Sequence, residues 1–197
     1  IQNALAAGSV TGKGSGVGGL VGFNDGNITT ALAAGSVTGG GSVGGLVGEN
    51  DRNITGASAS GNVTGDDSVG GLVGQNGGDI TDASASGNVT GDTRVGGLVG
   101  VNANLFDNGT IRETFAVGFV SGSTGVGGLV GNNTGFSPGT GTVIESYWDT
   151  EATNQSNSAG PAENLTTAEM QGQAAQTNMS GFDFDNTWQT QIDPDNY

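Results

Sequence analysis

The chain has 197 residues, of which 41 are Gly and three are Pro, and its 19 acidic and four basic side chains give a formal net charge of −15. This charge opposes binding to nucleic acid and to anionic lipid. Cys and His are absent, which excludes disulfides and catalytic or metal-binding histidines. No apolar run approaches the roughly 20 residues of a membrane-spanning helix, so we expect no direct membrane insertion.

The shortage of basic residues has two interpretations. Lys13 is the only Lys, and there are three Arg. Depletion of Lys together with excess Asp and Glu suits a protein that stays soluble in high salt, and the alternative is an ordinary acidic secreted protein. Because the sequence begins at Ile1, the first column of a repeat unit, we expect it to be a processed or trimmed piece of a longer protein.

One hexapeptide, Val-Gly-Gly-Leu-Val-Gly, recurs five times without change. The copies begin at Val17, Val43, Val69, Val95 and Val126, with three spacings of 26 residues and a last one of 31. The units that contain them begin at Ile1, Ile28, Ile54, Ile80 and Ile111, and a degenerate sixth begins at Val143. A period of this length is typical of repeat architectures.

The pattern within each unit predicts strands. Counted from the starting Ile, the sixth column is always Ala, the eighth and twelfth always Gly and the tenth always Val, whereas odd columns vary. Fixed even columns beside variable odd ones have a period of two, which indicates strands with one constrained face. The small residues on that face predict a narrow interior. The glycines fit corners that need a bend or a positive φ.

A single unit buries too few apolar side chains to offset the entropy of ordering it, so stability must come from stacking. We therefore predict an all-β fold, a parallel β-solenoid of about five coils of 26 residues. In the second unit we expect strands at Ile28–Ala34, Ser36–Thr38 and Gly44–Glu49. The invariant Asn after each hexapeptide predicts a stacked row at a corner. This row comprises Asn24, Asn50, Asn76, Asn102 and Asn133.

The hexapeptide contains adjacent invariant Leu and Val residues, which should point to opposite faces of a strand. If Leu20 and its equivalents point inward, the second Val of each copy forms an outward apolar ladder that suits contact with another chain or a docked tail. The alternative is a wide corner that buries both side chains. The candidate contact ladder comprises Val21, Val47, Val73, Val99 and Val130.

The C-terminal part has a different composition, since ten of the eleven aromatic residues follow residue 100. The chain is thereby divided into solenoid repeats at 1–142 and a C-terminal capping segment at 143–197. The sequence Thr166-Thr167-Ala168-Glu169 matches a capping box and predicts a short helix ending near Gly172. An open solenoid end needs such a cap. The functional alternative is an aromatic platform for sugars.

The Gly-rich unit around Val-Gly-Gly-Leu-Val-Gly resembles the GLUG motif repeat. The tail, with SYWDTEATNQSNSAG, LTTAEM and FDFDNTW, resembles the segment that commonly closes such arrays. Together with the acidic bias, the chain is most similar to haloarchaeal examples. The resemblance implies a β-solenoid, an extracellular or cell-surface location and adhesion-like or scaffolding roles, and it supplies no catalytic residues.

The residues themselves offer little chemistry. Calcium could be held by the turn acids Asp25, Asp66 and Asp67, but the acidic positions change from unit to unit and match no known calcium loop, so solvated turns are the alternative. The pairs Asp149/Glu151 and Asp183/Asp185 could serve as catalytic carboxylates, yet no acids recur across coils to line a cleft. We predict no cofactor, no metal site and no enzymatic activity. A hydroxyl row is formed by Thr11, Thr38, Thr64, Thr90 and Ser121, which β-propensity alone explains.

Nine Asn-x-Ser/Thr sequons occur, partly because Asn suits corners and Thr suits strands. Those in loops or in the tail are the better candidates for glycosylation. They are Asn108, Asn132, Asn154 and Asn164.

These features predict a non-enzymatic extracellular structural or adhesive module of a prokaryotic, archaeal surface. Its expected partners are other protein chains, including identical subunits in a filament, and surface glycans. The alternative is a carbohydrate-binding or polysaccharide-degrading β-helix. A glycan array and a reducing-sugar assay distinguish the two.

Overall fold

The repeats stack as a parallel β-solenoid in a computed structural model that describes residues 1–104, 107–135 and 140–190. Each of five coils contributes one strand to each of four parallel sheets, which we call A, B, C and D in the order in which the chain enters them. The predicted fold class is therefore confirmed. Adjacent coils lie about 4.8 Å apart, the ordinary spacing of paired strands.

The strands are short and follow the repeat. Sheet A contains Gln2–Ala6, Ile28–Ala33, Ile54–Ala59, Asp79–Ala85, Thr110–Ala116, Thr142–Ile144, Tyr147–Asp149 and Glu163–Leu165. Sheet B contains Val10–Thr11, Val37–Thr38, Val63–Thr64, Val89–Thr90 and Val120–Ser121. Sheet C contains Ser15–Gly18, Gly41–Gly44, Asp67–Gly70, Thr93–Gly96 and Thr124–Gly127. Sheet D contains Val21–Asn24, Val47–Asn50, Val73–Asn76, Val99–Val101 and Val130–Asn132.

The core consists of stacked identical side chains. Ile28 pairs with Ile54 in the next coil, and the same column continues in later coils. The Ile and Ala columns of sheet A pack against the Val column of sheet D and the Leu column that precedes it, while the Val columns of sheets B and C form a second cluster. The constrained even columns are thus the inward face, as the period of two predicts.

The hexapeptide is a corner and not one strand, which corrects the predicted strand Gly44–Glu49. Sheet C ends at Gly44 and sheet D begins at Val47. The amides of Leu46 and Val47 both donate to the carbonyl of Leu72, at 2.9 and 3.1 Å. Two consecutive amides can share one acceptor only where the backbone bends, so the alternation of a strand is interrupted there.

The bend also shows that the predicted outward Val ladder is wrong. Val47, Val73, Val99 and Val130 are 0% exposed and lie in the same cluster as the adjacent Leu residues. Val21, in the first coil, is partly buried against that cluster. Because the chain turns between the Leu and the Val, both side chains reach the interior, as in the alternative of a wide corner. From the second coil onward, this ladder therefore presents no surface to a partner.

The glycines of the eighth column are required by close approach and not by positive φ. A methyl group placed on Gly61 would lie 2.1 Å from the carbonyl oxygen of Gly35 in the preceding coil. Positive φ occurs instead in two other columns, among residues most of which are not Gly. One comprises Asn3, Thr30, Gly56, Asp82, Glu113 and Glu145, and the other Gly16, Ser42, Ser68, Arg94 and Gly125.

The predicted Asn row is a continuous hydrogen-bonded ladder along one corner. Each side-chain amide donates to the side-chain oxygen of the next Asn, over distances of 2.7, 2.8, 2.9 and 2.9 Å from Asn24 to Asn133. The second amide hydrogen of the inner members is donated to a backbone carbonyl, such as that of Gly78 for Asn76, at 2.9 Å. Asn50, Asn76 and Asn102 are fully buried, so the ladder satisfies polar groups that would otherwise be orphaned.

The segment after the fifth coil closes the C-terminal end of the solenoid. Trp148 pairs with Ala116 in the sixth column and is 4% exposed, so a large ring covers the end of the core where earlier coils have Ala. The Ser158 hydroxyl accepts a hydrogen bond from the Val130 amide, and the Ala159 amide donates to the Val130 carbonyl, both at 2.9 Å. These bonds occupy edge groups of the last coil, which would otherwise be open.

The rest of the described tail forms helix α1 at Thr150–Thr153, a 3₁₀ helix at Thr167–Met170 and helix α2 at Gly172–Asn178. Ala175 of α2 and the later residue Phe182 pack with Phe115 on the outer face of sheet A, whereas Gln155, after α1, donates to the carbonyl of Val120 in sheet B. The predicted capping box is present, with Thr166 and Glu169 exchanging hydrogen bonds, although the helix it begins is of the 3₁₀ type. Residues 191–197, at the end of the predicted capping segment, lie outside the described residues.

Candidate functional surfaces

The outer face of sheet B carries two parallel rows of side chains, which are polar except for Phe119 in the last coil. The predicted hydroxyl row is exposed at Thr11, Thr38, Thr64 and Thr90 and half-buried at Ser121. A second row, two residues before it, is also exposed and was missed because its residue type changes along the stack. It comprises Ser9, Ser36, Asn62, Asn88 and Phe119. Strand geometry places the rows about 6.6 Å apart, with about 4.8 Å between members.

This array is held rigidly by the core beneath it. The residue between each outer pair is a Val, which is partly buried in the first coil and buried in the later ones, such as Val63 between Asn62 and Thr64, which is 1% exposed. The Asn62 side-chain oxygen accepts a hydrogen bond from the backbone amide of Asn88 at 3.1 Å. The Asn88 side-chain oxygen accepts one from the backbone amide of Phe119. The side-chain amide hydrogens and the Thr hydroxyls are then presented to solvent in a regular pattern.

An acidic row lies on the outer face of sheet A, in the positive-φ column. Asp82, Glu113 and Glu145 follow one another in successive coils. Partial burial, followed by the charges of Asp82 and Glu145, raises the pKa of Glu113 above its usual value. Arg112 pairs with Glu145 at 3.2 Å at this end of the row. The row could not be recognised in the sequence because the third column holds Asn, Thr and Gly in the first three coils.

Glu113→Gln is expected to stabilise the protein at neutral pH. The pKa of Glu113 is higher in the folded than in the unfolded chain. Below the unfolded pKa of 4.5 the group is protonated in both states and does not change the free energy of unfolding. As the pH rises through the folded pKa, ionisation of Glu113 lowers the free energy of unfolding. The melting temperature of the variant should therefore exceed that of the parent at about pH 7 and equal it below about pH 4. Asp66→Asn, which removes one charge from an exposed turn, is the control. An equal gain at both pH values would contradict the burial argument.

The turn acids considered for calcium are partly engaged by arginines. Asp25 lies 3.4 Å from Arg52, and Asp67 forms an ion pair with Arg94 in the next coil. The Arg94 hydrogen bonds hold the pKa of Asp67 below its usual value. Within 1–104, 107–135 and 140–190, no group of three His, Cys, Asp or Glu side chains is arranged to hold a metal ion.

The two candidate carboxylate pairs have structural contacts. Asp149 is 0% exposed and caps α1 by accepting hydrogen bonds from the amides of Glu151 and Ala152, both at 2.9 Å. Glu151 accepts from the Thr167 amide at 3.0 Å, which fixes the 3₁₀ helix. Asp183 caps an exposed turn through the amides of Asp185 and Asn186, and the hydrogen bonds with Asn186 lower its pKa. Asp149, Glu151 and Asp183 thus each stabilise a backbone turn.

The aromatic residues of the tail pack on one another. The rings of Phe182 and Trp188 are stacked with centroids 4.9 Å apart, and Tyr147 contacts Phe182 edge-on at 5.5 Å. They cover Phe115 on the outer face of sheet A, and a cavity of about 300 Å³ remains between these rings and α2. Because the rings face each other, they do not form the flat exposed platform that sugar binding by stacking would need.

The four sequon asparagines chosen from the sequence differ in accessibility. Asn108, Asn154 and Asn164 are exposed. Asn132 is half-buried, and its side-chain oxygen accepts hydrogen bonds from the amide and hydroxyl of Thr134, both at 2.8 Å. The sequon asparagines that directly precede strands are exposed as well, at Asn27, Asn53, Asn62 and Asn88.

Comparison with known proteins supports the sequence resemblance. Residues 39–64 and 65–90 each match the GLUG motif, and both stretches correspond to one full turn of the solenoid. Halomucin of Haloquadratum walsbyi is 47% identical over 53 residues, which is 26% of this chain and 1% of halomucin. No solved structure matches. None of the helices in the described ranges is long and apolar enough to cross a membrane.

Proposed function

We propose that this GLUG-motif repeat protein is a non-enzymatic, extracellular structural module of a prokaryotic cell surface, and that the outer face of sheet B is its adhesive surface. The observation that carries the proposal is the two-row array of exposed hydroxyl and amide groups on a rigid sheet. The similarity to a haloarchaeal protein and the excess of acidic residues support an archaeal surface in high salt. Antibody labelling of intact cells of the source organism tests the location.

The chemistry of the array favours a polyhydroxylated partner such as a surface glycan. Hydroxyl and amide groups donate and accept hydrogen bonds without carrying charge, so they suit neutral sugars better than anions or cations. A repeating ligand can contact several coils at once, and linked weak contacts give a high overall affinity. A polysaccharide-degrading enzyme is the alternative, and a reducing-sugar assay with product release would favour it.

Two further parts of the proposal depend on separate observations. Glycans on Asn108, Asn132, Asn154 and Asn164 are supported by the exposure of three of them, and an intact mass equal to the bare sequence would remove them. A filament of identical subunits loses one of its two supports, because the Val ladder is buried, and contacts between solenoid ends are the support that remains.

Replacing Thr38, Thr64 and Thr90 together by Val is expected to weaken glycan binding without unfolding the protein. Val matches Thr in shape and strand propensity but lacks the hydroxyl. Protein made in a host without N-glycosylation should bind neutral polysaccharides on a glycan array, and the triple variant should lose at least about tenfold in affinity, or 1.4 kcal/mol.

The matched control is Thr29→Val with Thr55→Val, which removes exposed hydroxyls from sheet A. This variant should bind as the parent does. Equal binding by the triple variant, or no binding by the parent on a broad array, would exclude sheet B as the adhesive surface.

A further inference from the structure

A pocket of about 170 Å³ is lined by residues of sheets C and D and of the segments that follow sheet D in the fourth and fifth coils. We call it the C–D pocket. None of its described lining residues belongs to sheet B or to the aromatic tail. A cavity of about 150 Å³ holds one benzene ring, so the C–D pocket has room for one six-membered ring. The pocket is defined mainly by Ser42, Asp67, Ser68, Gln75, Arg94 and Val101.

One hydroxyl of this pocket is buried without a partner. The Ser42 hydroxyl lies 3.5 Å from the side-chain oxygen of Gln75. One coil later, Ser68 takes the place of Ser42 and Val101 takes the place of Gln75, so an apolar side chain replaces the acceptor. Ser68 is 6% exposed, and in the part of the chain that the structure describes its hydroxyl makes no hydrogen bond. Burial of an unpaired hydroxyl is costly, and a ligand in the pocket would supply the missing partner.

The two charged side chains of the C–D pocket neutralise each other. Arg94 donates to both carboxylate oxygens of Asp67 through Nε and Nη2, and these two are the only charged residues among the described lining. An anionic ligand would compete with Asp67 for Arg94, and a cationic ligand would compete with Arg94 for Asp67. Either ligand would leave one charge of the pair without its partner, so the pocket favours a neutral ligand.

The rest of the lining combines hydrogen-bonding groups with apolar surface. The Ser68 hydroxyl and the Gln75 amide both donate and accept hydrogen bonds. Val101 and Ala103, which are 4% and 0% exposed, add apolar side chains to the same pocket. A sugar ring has the matching combination, since its hydroxyls donate and accept and its C–H groups are apolar.

We propose that the C–D pocket binds one neutral sugar ring, with Ser68 and Gln75 hydrogen-bonded to its hydroxyls and Val101 in contact with its C–H groups. This site differs in kind from the array on sheet B. The pocket takes a single ring, whereas the array presents repeating groups to an extended ligand. The proposal does not depend on the adhesive role of sheet B.

The test is an NMR titration of the isotope-labelled protein with glucose, galactose, mannose and N-acetylglucosamine. At least one sugar should shift the backbone amide of Ser68 and the side-chain amide of Gln75, with saturation in the millimolar range that a few hydrogen bonds provide. Absence of these shifts with all four sugars, or shifts confined to sheet B, would overturn the proposal. Tighter binding of glucuronate than of glucose would overturn its assignment to a neutral ligand. Maltotriose distinguishes a free sugar from the end of a glycan chain, because only a site open to a chain should bind it as tightly as glucose.

Two variants change the pocket with residue types that the same columns already contain. Ser68→Gly removes the unpaired hydroxyl, and Gly16 and Gly125 have positive φ at the equivalent position. It should weaken binding by about three- to tenfold. Gly41→Thr narrows the pocket with the residue type of Thr93 in the same column, and a methyl group on Gly41 would come no closer than 3.6 Å to another atom. This variant should abolish the saturable shifts.

The matched control is Thr30→Gly. Thr30 also has positive φ, and the next coil has Gly56 at that position, but the residue lies on sheet A. The control should bind as the parent does, whereas parent-like affinity in both pocket variants would remove the sugar from this pocket. The triple Thr→Val variant of sheet B should retain the shifts at Ser68 and Gln75, so failure of the adhesive role and failure of the pocket are separately detected.

Discussion

Gly61→Ala is expected to destabilise the protein by about 3 kcal/mol or more, whereas Gly8→Ala should change its stability by less than about 0.5 kcal/mol. Both glycines occupy the eighth column. The new methyl group at Gly61 would lie 2.1 Å from the carbonyl oxygen and 2.5 Å from the carbonyl carbon of Gly35. These atoms are backbone, and sheets on either side of the corner hold the coils at their spacing, so the clash cannot be relieved by a side-chain rotation.

The two variants differ only in whether a coil lies before the substituted residue. Thermal and urea denaturation followed by circular dichroism measure the difference. Equal stability of the two variants would mean that the coils are not stacked at the described spacing. Unfolding of Gly61→Ala in two steps would indicate that the coils on the two sides of the substitution unfold separately, as nearest-neighbour repeat stability allows.

Much of this architecture can be predicted from the sequence, because stacking places equivalent residues of the five coils in the same environment. Positions where the residue type is constrained therefore recur five times within one chain. The fixed Ala and Val columns predict the inward face, and the Asn after each hexapeptide predicts the ladder. The capping box at Thr166 and Glu169 was also recognisable, since both partners lie within one turn. These features depend on local geometry or on identity between coils.

The features that could not be predicted depend on the cross-section of the coil. Whether Leu46 and Val47 point the same way is decided by a bend between two sheets, and no residue pattern within the hexapeptide specifies its angle. Positive φ at Thr30 is likewise invisible, because the sequence there alternates like an ordinary strand. The second row of sheet B was missed for another reason. Ser36 and Asn62 are both exposed but are different residue types, and the exposure of a residue cannot be read from one sequence alone.

Asn76→Ala is expected to cost about 2–4 kcal/mol, because it interrupts the Asn ladder at its centre. The side chain of Asn76 accepts from Asn50 at 2.8 Å and donates to Asn102 at 2.9 Å, and all three are 0% exposed. After the substitution the Asn102 oxygen and the Gly78 carbonyl each lose a donor in the interior. Asn24→Ala is the matched control. It removes only one ladder bond, at the end of the row, and should cost about 1 kcal/mol.

Asn76→Asp separates hydrogen bonding from packing, because Asp has nearly the shape of Asn. At neutral pH a carboxylate oxygen would replace the amide that faces the Asn102 oxygen, so two acceptors would meet and a charge would be buried. The variant should therefore be less stable than Asn76→Ala at about pH 7 and should recover as the pH falls and the acid becomes a donor. If Asn76→Asp and Asn76→Ala were equally stable at every pH, the ladder would contribute only by packing, and the invariant Asn would need another explanation. If both were as stable as the parent, the corner would be held by the backbone alone.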